Sequence, residues 1–169
     1  MSRSIQTKII GLTLRFAETK DVPIILEFIK ELAEYEKLSH EVVATEEKLN
    51  KSLFGARPLA EVIIADYLTK PVGFSLFFHN FSTFLGQPGI YIEDIYIKPD
   101  HRGRGIGKTI LVYLAKLAIE RGCGRIEWSV LDWNINALNF YNELGAQAMD
   151  GWTVFRLSAE TLSHLSKDY

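Results

Sequence analysis

Residues 90–121 read as a strand, a short connection, a glycine-rich loop and a long helix, and this order constrains the fold more than any other feature of the chain. Ile90–Ile97 is rich in β-branched and aromatic residues, and Pro99 stops it. Gly107–Arg121 carries Ile110, Leu111, Leu114, Leu117 and Ala118 at helical spacing. Between the two lies Arg102-Gly-Arg-Gly-Ile-Gly107. Its three glycines remove the Cβ atoms that would hold a ligand away, and they let successive N–H groups point into one concavity. The free N–H groups that open the helix add partial positive charge, and Arg102 and Arg104 offer charge-assisted contacts. This is an arrangement suited to a pyrophosphate.

Two other phosphate-binding patterns fail on spacing. Gly107-Lys-Thr109 resembles the end of a nucleotide P-loop, but that motif needs a glycine five residues before Gly107, where Arg102 stands. The dinucleotide fingerprint GxGxxG is not met by Gly103-Arg-Gly-Ile-Gly107. A plain tight turn needs fewer glycines and neither flanking arginine.

The rest of the chain supplies a sheet and its cover. Ile9–Ala17 alternates as a strand. A helix is expected over Lys20–Tyr35 with Thr19 as cap, and a shorter one after Thr45, with Glu46 and Glu47 suited to its N-terminus. Glu61–Leu68 and Pro71–His79 read as strands joined by a turn at Thr69–Lys70, and Asn80–Gly89 as a loop. Arg125–Val130 is a strand, Asn136–Leu144 a helix and Trp152–Leu157 a last strand. The order βααβββαβαβ predicts a mixed α/β layer fold. A length of 169 residues without a linker predicts a single domain over 1–169.

Composition removes several functions. A net charge of −2 argues against general nucleic-acid binding and leaves small partners, cationic ones included. Cys123 is the sole cysteine, so no intrachain disulfide and no CxxC site exists, and it reads as a small structural thiol. His40, His79, His101 and His164 are scattered without an HExxH pattern, so no metal is expected. The densest apolar run, Gly73–Phe78, is far too short to span a bilayer, and no apolar signal region opens the chain, so no membrane association and a cytoplasmic location are expected.

Arg102, Gly105 and Gly107 meet the Arg/Gln-x-x-Gly-x-Gly/Ala signature, and through them the chain resembles the GCN5-related N-acetyltransferase (GNAT) superfamily. Ile29-Lys-Glu-Leu-Ala-Glu-Tyr-Glu36, Glu93-Asp-Ile95, Leu131-Asp-Trp-Asn134, Asn139-Phe-Tyr141 and Leu144-Gly-Ala146 extend the resemblance to the diamine (spermidine/spermine) and thialysine acetyltransferase group. The resemblance implies a mostly antiparallel central sheet, helices on both faces, and a splayed strand pair forming an acetyl-CoA cleft. It implies that Ile95, Tyr96 and Ile97 offer backbone groups to the pantetheine arm. Arg102, Gly103, Arg104, Gly105, Ile106, Gly107 and Lys108 would cradle the pyrophosphate, and Asn134, Ile135, Asn136 and Ala137 would line the cofactor's other side. A homodimer is implied as well.

Acetylating an amine requires a neutral nitrogen, yet an alkylamine with a lysine-like pKa of about 10.4 is almost wholly protonated at pH 7. Glu93, on the strand leading into the loop, is the expected base, acting through water. Tyr141 matches the family tyrosine that protonates the departing thiolate. Six glutamates and one basic residue, Lys37, lie between Glu31 and Glu47. Usually such a run is a solvated face, but Tyr35 and Glu36 match family positions that hold a cationic substrate. Glu127, Trp128 and Ser129 would form another wall, with Trp128 offering an apolar or cation–π surface. Asn80–Gly89 departs from the polyamine-acetylating pattern: Phe84 stands near where some relatives place a tryptophan, and the segment is one residue longer. Leu131–Asn134 is closer to the thialysine branch. The acceptor therefore stays open among a diamine, a polyamine and a lysine-like amino acid. A protein or peptide N-acetyltransferase and a non-catalytic acyl-CoA sensor are the alternatives.

Overall fold

Among the described residues six strands pair in the order in which they occur, β1 (Ile5–Gln6), β2 (Leu12–Phe16), β3 (Glu61–Tyr67), β4 (Lys70–Ser82), β5 (Gln87–Ile97) and β6 (Ile126–Trp128). The structure is a computed structural model that describes residues 4–169. All neighbours run antiparallel except β5 and β6, which are parallel and joined through α3 (Ile106–Glu120). A parallel pair needs such a crossover, whereas β3 and β4 turn directly into one another. The chain divides into two compact units, one ending at Ser129 and the other spanning Val130–Tyr169. The sheet lies in the first.

Strand alternation assigns the two faces of this sheet. Val62 and Ile64 on β3 stand opposite Leu76 and Phe74 on β4, and Phe74 stands opposite Tyr96 on β5. These side chains meet α1 (Val22–Tyr35) and α2 (Glu46–Phe54) in a core with Ile25, Phe28 and Leu53. Phe28 stacks on Phe74 with ring centroids 5.5 Å apart and touches Tyr96 at 6.1 Å. Ile63 and Phe77 belong to the opposite face, which α3 covers. There Tyr113 packs edge-on against Phe16 at 6.4 Å, and Arg121 forms a double ion pair with Glu61 above the Phe77 ring. Helices on both faces bury the sheet as the mixed α/β reading requires.

Polar groups fix how α1 enters. Asp21 is 6% exposed, accepts both terminal guanidinium nitrogens of Arg15 at 2.7 and 3.0 Å, and also accepts the Glu18 N–H at 2.8 Å. Burial pushes its carboxyl pKa up, but these donors outweigh burial and hold it below its ordinary value. Thr19 is therefore not the cap: it begins a short 3₁₀ turn, and the carboxylate of Asp21, a stronger acceptor than a hydroxyl, takes the free donor. Thr45 does cap α2, its hydroxyl accepting from the Lys48 N–H at 3.2 Å. At the other end of β5, Lys98 bonds Glu27 at 2.8 Å and Glu31 at 3.0 Å, tying α1 to the strand that leads into the glycine loop.

Several expected boundaries move. The first long strand begins at Leu12, because Gly11 turns the chain with φ 79° and a short β1 precedes it. The β3–β4 turn is Leu68–Thr69, both at positive φ, so Lys70 already belongs to β4. Asn80–Gly89 is not a loop: Asn80, Phe81 and Ser82 pair with Gly89, Pro88 and Gln87, leaving only residues 83–86 to turn. Its Asn, Gly and Pro suggest a loop, but ladder hydrogen bonds to a long neighbouring strand override that local preference. Phe84 stands on this turn, 92% exposed.

The second unit holds α4 (Ile135–Glu143), capped by Asn134, and α5 (Ala159–Leu165), capped by Ser158. Trp152–Leu157 forms no strand. The alternation is present in the sequence, but a strand exists only where another supplies N–H and C=O groups, and no described residue pairs with this segment. Among the described residues, no helix is long and apolar enough to cross a membrane.

Candidate active site

The site begins with a β-bulge. Phe77 pairs with Ile92 and Leu76 with Asp94, so Glu93 is an extra residue on β5 with no opposite number. The bulge reverses which backbone groups face which neighbour. Before it, the Ile90 N–H donates to Arg125 O on the β6 side; after it, the Lys98 N–H donates to Val72 O on the β4 side. With a two-residue repeat, Asp94 and Tyr96 then face β4, and Ile95 and Ile97 face away from it. The β6 ladder has already ended at Ile92–Trp128, so the backbones of Ile95 and Ile97 lie on an open edge. This parting of β5 from β6 is the splayed pair, and it exposes two of the three residues expected to meet the pantetheine arm.

β5 leads into the glycine loop. Gly103 and Gly105 adopt φ 71° and 78°, a region that costs a side chain roughly 1–2 kcal/mol. A Cβ built on Gly103 meets nothing within 4 Å, so open space lies above the loop. Gly105 is the N-cap of α3 and caps it with no side chain, and the first helical bond is Thr109 N–H to Gly105 O at 2.9 Å. The amides of Ile106, Gly107 and Lys108 therefore have no partner within the helix. Free amides beneath open space fit a pyrophosphate. Arg102 folds back: its Nε donates to Ile97 O at 2.9 Å, and its guanidinium lies 4.5 Å from the Tyr35 ring centroid and 5.5 Å from that of Tyr96. It braces the loop against β5 and the end of α1. Lys108 and Arg104 are exposed, the latter near the Tyr67 ring.

Sequence reasoning missed the most informative side chain. Asp94 lies opposite Leu76 and therefore on the face covered by α1, beside Glu36, which caps the C-terminal end of that helix. Burial pushes the Asp94 carboxyl up to about 6, and the charges of Glu93 and Glu36 push the same way. Burial also raises Glu36. Three carboxylates thus converge where α1 stops and the bulge begins, an arrangement that attracts a cation. The only sequence cue was the neighbouring Glu93; that the residue after it would turn inward depended on the bulge.

The remaining expected residues divide. Glu127 pairs with Tyr91 across the β5–β6 ladder and its carboxylate is bound by Arg125 at 2.8 Å and Asn80 at 2.7 Å. Ser129 bonds the Tyr91 hydroxyl at 2.8 Å. Trp128 pairs with Ile92 and so points to the opposite face, which separates it from the wall it was expected to share with Glu127 and Ser129. In the second unit, Asn134 Oδ1 accepts the Ala137 N–H at 3.3 Å, and Ile135, Asn136 and Ala137 form the first turn of α4. Tyr141 lies one turn further along, its ring 5.3 Å from that of Phe140.

The sequence model of the Acetyltransferase (GNAT) family matches residues 26–146, which include the bulge, the loop and α4. The chain belongs to this family. As a GNAT protein it is an N-acetyltransferase. It is 40% identical to the thialysine N-epsilon-acetyltransferase of Bos taurus, over 90% of this chain and 96% of that protein. It is 34% identical to an L-ornithine N5-acetyltransferase of Arabidopsis thaliana, over 91% of this chain and 87% of that one. Among solved structures, an integron cassette protein from the mobile metagenome of V. cholerae superposes with a TM-score of 0.79, covering 94% of this chain and 99% of its own, at 24% identity. That likeness concerns the GNAT fold alone.

Proposed function

We propose that this GNAT enzyme transfers an acetyl group from acetyl-CoA to a primary amine of a small cationic, lysine-like substrate, by direct attack in a ternary complex. The observation that carries the reading is the juxtaposition of the Glu36–Glu93–Asp94 carboxylates with the open edge at Ile95 and the glycine cradle beyond it. Acetyl-CoA, when bound, supplies the acetyl group as a thioester. Gly103, Gly105 and the amides of Ile106–Lys108 hold its pyrophosphate, with Arg104 and Lys108 adding charge. Ile95 and Ile97 hold the pantetheine arm through their backbones, Tyr96 contributes through the same strand segment, and Asn134–Ala137 of the second unit are assigned to the cofactor by the family resemblance.

The carboxylates hold the substrate ammonium, and Glu93 drains its proton through water so that the nitrogen can form the new N–C bond. The N–H of Ile95 stabilises the oxyanion, a role whose loss typically costs about 10²–10³ in rate. As the C–S bond breaks, Tyr141 gives its proton to the thiolate. The ring of Tyr35 and the carboxylate of Glu36 close the amine end. Both units act as one acetyltransferase domain, which the family match across the Ser129–Val130 boundary supports.

Thiol release from acetyl-CoA, measured against a panel of diamines, polyamines, lysine analogues and peptides, tests the reading. Turnover confined to peptides points to a protein acetyltransferase, and cofactor binding without turnover points to a sensor. Glu36→Gln is expected to raise the amine KM about tenfold, as loss of one charged partner does, with the acetyl-CoA KM unchanged. An unchanged amine KM removes Glu36 from the substrate site. We also take the enzyme to be a homodimer. Trp152, Val154 and Phe155 support this, being 71%, 84% and 91% exposed in one chain. Light scattering should give twice the chain mass, and a monomer at micromolar concentration rejects it.

A further inference from the structure

One face of the sheet runs from the carboxylate cluster past an aromatic floor to a paired charge. Its ruler is β4, whose alternation is unbroken from Gly73 onward: Leu76, Phe78 and Asn80 all point to the α1 side. Leu76 marks the level of Asp94. Two residues on, about 7 Å along the strand, Phe78 pairs with Tyr91, and their rings lie 5.3 Å apart. Glu127 pairs with Tyr91 from the far side and receives Asn80, so Glu127 and its partner Arg125 share this face at the level of Phe78 to Asn80.

We propose that Arg125 and Glu127 form a clamp for the zwitterionic head of the lysine-like acceptor, holding its α-carboxylate and α-ammonium while its ω-amine lies among Glu36, Glu93 and Asp94. The inference rests on the acetyltransferase reading above and assigns the residue pair that selects an amino acid over a diamine. Each zone matches one part of such a molecule. The three carboxylates take the terminal ammonium. The rings of Phe78 and Tyr91 offer an apolar surface to the methylene arm. Arg125 binds Glu127 through Nε, which leaves its terminal nitrogens to donate to an α-carboxylate in the forked geometry that suits them. Glu127 uses only Oε2 in its two bonds, so Oε1 can accept from the α-ammonium. A diamine of the same length carries a second cation but no carboxylate. Its second ammonium can still reach Glu127 Oε1, but it offers the guanidinium no carboxylate and sets a like charge beside it, which discriminates against it.

The matched probes are L-lysine and 1,5-diaminopentane, which differ only in the carboxylate. Calorimetric binding in the presence of CoA and thiol release from acetyl-CoA would both be read, for the wild type and for Arg125→Gln. The wild type is expected to prefer L-lysine by at least about tenfold, the effect of one charge-assisted contact. In Arg125→Gln, kcat/KM for L-lysine should fall by about 10- to 100-fold, and that for 1,5-diaminopentane should hold or rise because Glu127 is released. A merely structural role for Arg125 would lower both together. Equal wild-type preference, or a parallel loss for both probes in the variant, overturns the clamp. Calorimetric discrimination without thiol release for any amine would overturn the acetyltransferase reading and leave the clamp standing.

Discussion

Asp94→Asn is expected to make the protein more stable and less active at the same time. The Asp94 carboxyl is raised from 3.8 to about 6 because ionising it means charging a buried group beside Glu93 and Glu36. An acid with a raised folded pKa binds its proton more tightly in the native state than in the unfolded one. Its contribution to stability is therefore complete below pH 3.8, declines as pH rises towards 6, and becomes a full penalty above that. Asparagine keeps the shape and removes the ionisation. At pH 7.5 the variant should be more stable by on the order of 1–3 kcal/mol, with the gain vanishing near pH 4. Denaturant melts across this range measure it. The amine KM should rise by about 10- to 100-fold with the loss of a charged partner, and the acetyl-CoA KM should not move. The wild-type kcat/KM for amine should lose an additional factor below about pH 6, where Asp94 takes up its proton, and that step should be missing from the variant. A variant less stable than the wild type at pH 7.5, with an unaltered amine KM, would show that Asp94 is an ordinary structural carboxylate.

The second large effect belongs to Tyr141→Phe. On the proposed mechanism, removing the hydroxyl takes away the proton donor and leaves the ring against Phe140. A positioned general acid contributes about 10²–10⁴ in rate, and kcat should fall by at least about 10² on that scale, with acetyl-CoA affinity within about twofold of the wild type. The chemistry provides an internal check. A thioester whose thiol is more acidic needs less help in leaving, so an acetyl donor built on such a thiol should narrow the gap between wild type and variant. Loss of cofactor affinity in step with rate, and a gap independent of the leaving group, would make Tyr141 a packing residue.

How much of this could be read in the chain differs from element to element. The helix α3, the cap at Thr45 and the loop at Gly103–Gly107 were legible because each is decided by neighbours within one or two turns. Asp94 was not. Its orientation follows from a register shift between β4 and β5, and the pairing of two strands is not written in either alone. Asn80 was passed over for the same reason: it meets Glu127 only because three strands bring them together, whereas Arg125 stands two residues from Glu127 in the same segment. Trp152–Leu157 failed in the other direction, since an alternating pattern states what a segment would bury and says nothing of whether a partner strand is present.

For the glycine loop, local sequence was sufficient. Three glycines after a strand and before an amphipathic helix leave the backbone free amides and no Cβ to cover them, wherever the rest of the chain lies. What the sequence by itself determined is therefore the open glycine loop, whose Arg102, Gly105 and Gly107 also carry the resemblance to the acetyltransferase family. The tertiary structure decided where the charges of the candidate site lie. One extra residue in β5 opens the Ile95 edge, turns Asp94 toward α1 and sets three carboxylates at one end of a face whose other end carries Arg125 and Glu127. Charge placed across several strands is a property of their register, and register exists only once the sheet has formed.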